Sequence, residues 1–380
     1  MSPPPTMLPR DLPQTRPRHH HRRTSTHPLF YSSRAKPRRW PLVLRFIKGA
    51  IHGNIFVPVC LHALFTALIV YLDRYVGELG LPSSIIPSIS IVISLMLVFR
   101  NQTSYDRFWT GRNLLTECTT AVRNLTRSFL VSATVASLDL SSSQTTTLVS
   151  TTPTTPQGGN QKGNGSHAPF LAGDASSPER ADTERAVRIL LAVLYAIKHN
   201  LRAEYALSGS TPAALYPDLA ALLPPDLYAH EDRGLGLPLQ LLVMSEAYIR
   251  RGVARGWFHG PQASQLSVQL NSITAAYGRM ETIRHTPIPV AHLIHMKQVL
   301  ALYSAVLPFS LVNEFGWWSV LIVAIIAFTL YGIDGIGHQL EDPFGYDRND
   351  IKMDSIVEDA AVECMVLLEE WKRDGADMFQ

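Results

Sequence analysis

The sequence predicts an all-α protein with four transmembrane helices that continue into a water-exposed helical bundle. Apolar runs long enough to span a bilayer occur in two pairs, and amphipathic helical patterns fill the region between the pairs. The formal net charge of the 380 residues is only +3, which is too small to indicate a nucleic-acid partner. The three cysteines lie far apart without pair or metal spacing, so we expect no disulfide framework.

Residues 1–40 predict a disordered basic tail. They are rich in Pro, Arg, Ser and His, with Asp11 as the only acid, and cannot bury enough apolar surface to fold alone. The same composition is typical of an organelle transit peptide, although the Pro content weakens an amphipathic helix. A cytosolic tail and a transit peptide therefore stay open as alternatives.

Residues 41–135 predict the first two spans and a stalk helix. Ile55 to Leu72 is uncharged and forms span one, and a short polar link joins it to an antiparallel span two from Ile85. Span two is uncharged up to Phe99 and then meets Arg100, with further arginines and aromatic residues behind it. This is the composition expected where one helix leaves the membrane without a break.

The rest of the chain divides by composition. Residues 136–178 are dominated by Ser, Thr, Gly, Gln and Asn and predict a low-complexity disordered loop. Residues 179–286 predict three amphipathic helices of a cytosolic bundle, and residues 287–335 hold spans three and four. Residues 336–380 predict a cytosolic segment with a Pro-Phe-Gly motif and then an acidic amphipathic helix.

Lys and Arg residues crowd before span one and after span two, whereas the links within the paired spans carry few. The positive-inside rule therefore places both termini and the long middle region in the cytosol, or in the equivalent compartment of an organelle. The plasma membrane is the favoured location, with an organelle membrane left open.

Three further segments are distinctive: FRNQTSYDRFWTGRNLL from Phe99, TPIPVAHLIHMKQVLALYSAVLPF from Thr286 and LEDPFGYDRNDI from Leu340. They resemble three motifs of the bestrophin-like family, which includes bacterial and fungal members and has these motifs in the same order. The resemblance implies a homopentameric ring that conducts chloride or related monovalent anions passively, and it implies no enzyme activity. The expected partners are the lipid bilayer, these anions and other copies of the chain. A non-conducting membrane scaffold or regulator of the same fold is the alternative function.

Span two is unusually rich in serine, and serines in a membrane helix usually pack against a neighbouring helix. The alternative is that one stripe of this helix lines a pore, which the resemblance favours because the family's second span supplies a narrow apolar neck. The neck is then expected between Ser84 and Met96, and a second stripe with Ser90 and Ser94 stays open. The candidate neck residues are Ile85, Ser88, Ile89, Val92 and Met96.

Three arginines follow the neck region, at Arg100, Arg107 and Arg112. At a pore mouth they would raise the local concentration of anions. Two other roles are equally open: anchoring at the membrane interface, and ion pairs with Asp106 and Glu117.

Animal members of the family follow the Pro-Phe-Gly motif with a run of acids that helps to hold Ca²⁺. Here only Asp347 and Asp350 follow it, with Arg348 between them. Ca²⁺ takes six to eight oxygen ligands, so we expect a calcium-independent protein without a cofactor, and these two residues are weak calcium candidates. Their carboxylates are expected to cap the helix that follows.

A membrane metalloenzyme is the third alternative. His292 and His295 lie on one helical face near Lys297, and His338 and Glu341 extend them to a loose set of ligands. No complete metal motif is present, so this alternative is the least favoured.

Overall fold

The computed structural model describes residues 52–146, 178–204, 217–223, 236–347 and 349–374, all within one compact unit. The predicted basic tail and most of the predicted low-complexity loop lie outside these residues. The regular structure of the described ranges is entirely helical, as predicted. In chain order the helices are α1 (His52–Tyr75), α2 (Ile85–Thr146), α3 (Pro178–Leu201), α4 (Pro217–Ala220), α5 (Leu237–Ala254), α6 (Gly260–His285), α7 (Val290–Phe315), α8 (Trp318–Glu341) and α9 (Met353–Asp374).

Four helices, α1, α2, α7 and α8, are long and apolar enough to cross a membrane, which agrees with the predicted number of spans. α8 packs against α1, α2 and α7, and α7 also contacts α1 and α2. Between α2, α7 and α8 lies a membrane cluster of buried side chains. It consists of Ile93, Leu97, Met296, Leu300, Tyr303, Leu307 and Val323.

Polar contacts also join the spans. Nε2 of His62 on α1 lies 3.0 Å from the hydroxyl of Tyr331 on α8, and the two rings are stacked. The hydroxyl of Ser90 on α2 lies 2.7 Å from that of Tyr303 on α7. Polar groups within a membrane need such partners because lipid offers none, so these pairs fix which helix faces meet.

α2 is one continuous helix of 62 residues, or about 93 Å at 1.5 Å per residue. The sequence predicted that this helix continues without a break past Arg100, but it placed the start of the disordered loop at residue 136, ten residues before the helix ends. The helix runs on to Thr146 because no Gly or Pro interrupts the chain between Gly111 and Pro153. A change to Ser-rich and Thr-rich composition alone does not stop a helix.

The second part of α2 forms a helical bundle with α3, α5, α6 and α9. α3 is its central element, because ten of the twelve residues from Ala186 to Ile197 are buried. A helix that is apolar on nearly all sides belongs in the middle of a core. Phe129 of α2 and Tyr248 of α5 pack beside it with ring centroids 4.6 Å apart, and the Tyr248 hydroxyl lies 3.0 Å from that of Thr183.

The loop from Pro343 to Ile351, here called the PFG loop, connects α8 with α9 and lies against α2. Phe344 is fully buried, and a Cβ added at Gly111 of α2 would come within 2.8 Å of its ring. Gly111 is therefore required by the close approach of loop and helix. The N–H of Ile351 donates to the carbonyl of Pro343 (3.0 Å) and closes the loop.

Candidate functional site

The membrane part of α2, residues 85–99, presents two different faces. One face, with Ile93 and Leu97 at its centre, is buried in the membrane cluster. The opposite face is open in the single chain, although it carries no charge. Its large apolar side chains are 53 to 69% exposed and comprise Ile91, Val92, Leu95, Val98 and Phe99. A surface of this kind requires lipid, another copy of the chain or a pore beside it.

The structure places the predicted neck residues on different faces. Ile89 and Met96 are half-buried and pack against the membrane cluster of their own chain. Ser88 and Val92 are exposed on the open face. The side chain of Ile85 lies outside the described residues. Of the described candidates, Ser88 and Val92 alone lie fully on the face that another copy or an ion can reach.

A shallow groove of about 420 Å³ runs along the open face and is lined by Ser90, Ile91, Ser94, Leu95 and Val98. Ser90 donates its hydroxyl proton to the carbonyl of Ile86, one turn earlier (2.7 Å). Tyr303 must then be the donor in its contact with Ser90, because a hydroxyl has one proton to give. Ser90 thus packs against a neighbouring helix, whereas Ser94 is exposed in the groove.

Arg100 does not face solvent at an open mouth. Its side chain is 1% exposed and forms an ion pair with Asp334 of α8, which is 11% exposed. Gly337, one turn after Asp334, packs beside this pair, and a Cβ there would be in ordinary van der Waals contact with Nε of Arg100 (3.7 Å). A charge this deeply buried is compensated by its partner. The predicted role of Arg100 in attracting anions does not fit this position.

Arg107 binds three backbone carbonyls. Its Nε donates to Glu341 (3.0 Å), its Nη1 to Thr286 (2.8 Å) and its Nη2 to Ile283 (2.6 Å). These carbonyls lie at the C-terminal ends of α6 and α8, where the last turns of a helix lack internal partners and favour a cation. Arg107 therefore joins two helix ends to α2.

The predicted ion pairs of the arginines with Asp106 and Glu117 do not form among the described residues. Asp106 accepts a hydrogen bond from within its own helix, and Glu117 pairs instead with Arg279 of α6 (2.9 Å). Neighbouring positions on a helix point about 100° apart, so Asp106 and Arg107 face different surroundings. Arg112 donates to a threonine hydroxyl one turn later on α2 and is half-buried. Its proposed effect on anions stays a prediction.

The carboxylates of the PFG loop do not fit a calcium ion. Asp350 is only 7% exposed, and its carboxylate accepts the backbone N–H of Asp347 (2.7 Å). Asp350 therefore caps the loop rather than α9, which begins three residues later. Burial, together with the charges of Asp347 and Asp342, raises the pKa of Asp350. The ammonium of Lys352 lies 3.2 Å from the carbonyl oxygen of Asp347, so the loop already holds a positive charge.

The histidines of the loose metal set do not assemble into a site. His292, His295 and Lys297 are exposed on the first turns of α7. His338 lies 4.0 Å from Glu341. Nowhere in the described ranges do three His, Cys, Asp or Glu side chains lie close enough together to hold a metal ion.

Sequence reasoning missed two of the contacts that hold the membrane part of α2: the pair of Arg100 with Asp334 and the contact of Ser90 with Tyr303. Asp334 is the only acid in the apolar run of α8, and a lone acid within a span needs a cation nearby, so this signal could have identified the pair with Arg100. The contact between Ser90 and Tyr303 had no such signal, because the two hydroxyls are 213 positions apart in a chain with many serines.

Four apolar helices, one of which continues into the helical bundle, define a multi-pass membrane protein. All the regular structure of its described residues is helical. The profile of the family described as Bacterial/Fungal Bestrophin protein matches residues 31–153 and 168–366. The chain therefore belongs to the bacterial and fungal bestrophin family, as the three sequence motifs indicated. The family is one of channels and not of enzymes.

Similar proteins carry channel names. A voltage-dependent anion channel-forming protein of Nostoc sp. is 30% identical over 321 residues, which cover 84% of this chain and 88% of that protein. A protein of the same description from Synechocystis sp. is 28% identical over 339 residues, covering 88% of this chain and 94% of the relative.

A solved structure shows the same fold. The crystal structure of a bacterial bestrophin homolog from Klebsiella pneumoniae matches with a TM-score of 0.65 at 20% sequence identity. The match covers 83% of this chain and 98% of that one. The predicted fold class is confirmed.

Proposed function

We propose that this chain is a membrane anion channel that conducts chloride or related monovalent anions passively. The supporting observation is the open face of α2, an uncharged helical surface that its own chain leaves uncovered. Membership in the bestrophin family and the channel names of the Nostoc and Synechocystis relatives support the same function. No catalytic or cofactor chemistry enters this function.

The pore lies on the axis of a ring of copies, which we propose to be a homopentamer in a bilayer. The open face carries two stripes at helical spacing, one through Ile91, Ser94 and Val98 and one through Ser88 and Val92. The first stripe faces the axis, because all three of its residues line the groove and neither residue of the second stripe does. The second stripe then faces the neighbouring copy.

A ring of such helices leaves a narrow, mostly apolar constriction. Water is held weakly in an apolar constriction, so the constriction can empty and block ions. A hydroxyl at Ser94 offers a donor to a passing anion, while Ile91 and Val98 set the width above and below it. The excess of Lys and Arg before α1 and after residue 99 supports cytosolic termini, with the plasma membrane as the favoured location.

The experiment is reconstitution of the purified protein into planar bilayers with asymmetric chloride. A channel gives a current whose reversal potential follows the chloride gradient. Ile91→Ala and Val98→Ala should raise the current of the open channel, and Ser94→Leu should lower it. Ser88→Leu on the second stripe is the matched control and should affect assembly more than current.

Two results would contradict the proposal at different levels. Equal effects of Ser94→Leu and Ser88→Leu on the current of assembled protein would place the pore on another surface. An assembled oligomer that passes no anion current would identify the chain as a non-conducting scaffold of the same fold.

A further inference from the structure

Arg202 contacts Asp354 of α9 and Tyr346 of the PFG loop, and these three residues are here called the clamp. Its Nη1 and Nη2 atoms donate to the two carboxylate oxygens of Asp354, each at 2.8 Å, and its guanidinium carbon lies 4.3 Å from the ring centre of Tyr346. The Arg202 side chain is only 5% exposed. A two-point pair with a carboxylate and stacking on an aromatic ring are the geometries in which arginine differs from lysine.

The positions of the two charges favour this clamp. Arg202 directly follows the C-terminus of α3, and Asp354 lies in the first turn of α9. The C-terminus of a helix favours a positive charge and the N-terminus a negative one, so both macrodipoles support the pair. Lys198 adds a second cation 3.4 Å from the carboxylate of Asp354.

The clamp reaches α2 through the loop. Tyr346 lies two residues after Phe344, whose buried ring rests on Gly111 of α2. On the other side of the loop, the amide of Asn349 donates to the side chain of Gln339 on α8 (2.6 Å). The loop is thus held from α3 on one side and from α8 on the other, by the chain's own groups.

We propose that Arg202 serves as a built-in cation that closes the PFG loop against α9 and α2, and that the loop consequently binds no calcium. The carboxylate of Asp350 already accepts a hydrogen bond within the loop, and the positive charges of Arg202 and Lys352 disfavour a calcium ion beside them. The effect of the clamp on current rests on the proposed channel function, whereas its effect on the loop does not.

Hydrogen–deuterium exchange on the full-length oligomer in detergent tests the clamp directly. Peptides covering residues 343–352 are compared with calcium chloride or with a chelator. In the parent protein the exchange should be the same in both. Arg202→Gln should raise the exchange rate of these amides roughly three- to tenfold, the range for a partly exposed ion pair. Arg202→Lys keeps the positive charge but cannot make the two-point pair with the carboxylate of Asp354. The exchange rate of the loop amides should therefore rise less than in Arg202→Gln.

Arg251 provides the matched control, because it makes a similar two-point pair with Asp182 (3.1 and 2.8 Å) away from the loop. Arg251→Gln should leave the exchange of the loop unchanged. Asp354→Asn removes the other half of the clamp and should reproduce Arg202→Gln, which keeps the test informative if one variant folds poorly.

Chloride currents are recorded from the same samples. The parent current should be equal with calcium and with the chelator, and Arg202→Gln should change it. Protection of the loop by calcium in the parent, or unchanged loop exchange in both clamp variants, would overturn the proposal. A parent that shows the expected exchange but no current would refute the channel function alone.

Discussion

Replacing one member of the buried ion pair between Arg100 and Asp334 should destabilise the protein much more than replacing both. The two side chains are 1% and 11% exposed, so the loss of either leaves a charge without its partner in a dry environment. Such a loss costs about 3–5 kcal/mol of unfolding free energy. We therefore expect this range for Arg100→Met and for Asp334→Asn.

The double variant should recover most of this loss, because no unpaired charge remains and a methionine fills much of the volume of the arginine. Denaturation of the detergent-solubilised oligomer, followed through tryptophan fluorescence, gives the four unfolding free energies of a double-mutant cycle. Arg123 and Glu363 form the control pair, because their side chains are 39% and 37% exposed. That pair should contribute no more than about 1 kcal/mol.

The reasoning would be refuted by a cycle in which the two single losses simply add. It would also be refuted if Arg100→Met cost no more than the control substitution Arg123→Met. In that case Arg100 would be accessible to water in the folded protein, and the predicted role of Arg100 in attracting anions at the pore mouth would again be supported.

Gly111→Ala should lower the unfolding free energy by about 1–3 kcal/mol, because its Cβ would overlap the ring of Phe344; Gly278→Ala, which meets no neighbour within 4 Å, should instead stabilise its helix. The clamp should also show a defined pH dependence, since hydrogen bonds from Arg202 lower the pKa of Asp354. Its contribution is fully present above the ordinary pKa of about 3.9 and is lost as the pH falls through the lower folded value. The difference in melting temperature between the parent and Asp354→Asn should thus be constant from about pH 5 to about pH 8 and shrink only in acid. A difference that changes near neutral pH would contradict this assignment.

The number and type of elements could be predicted from the sequence because they depend on local pattern. The change from uncharged residues to Arg100 predicts the point where α2 leaves the membrane, and helical periodicity identifies α3, α5 and α6. The end of α2 was placed too early, at residue 136, because the prediction was based on composition. A polar composition shows that a segment has little apolar surface to bury, but it does not show where a helix ends. Gly and Pro are the residues that most strongly end a helix, and this stretch has neither between Gly111 and Pro153.

The roles of individual site residues could not be predicted in the same way, because they depend on partners far along the chain. Arg107 cannot be distinguished from the other arginines in the sequence. It donates hydrogen bonds to carbonyls of α6 and α8 only because the C-terminal ends of these two helices lie together beside α2 in the fold. Ile89 and Val92 are both branched apolar residues three positions apart. One packs on the membrane cluster and the other is open, since the position of α7 decides which face of α2 is covered.

α2 belongs to both parts of the protein, because it runs from the membrane helices into the bundle without a break. Ser90 in the groove and Gly111 under the PFG loop belong to the same helix, 21 residues apart, or about 32 Å at 1.5 Å per residue. Arg107, held by the ends of α6 and α8, lies between them. No Pro or Gly interrupts this interval before Gly111 at its end, so the usual causes of a sharp kink are absent from it. One unbroken helix therefore carries both the groove on the membrane face and the contact with Phe344 in the bundle, and it sets their spacing along its axis.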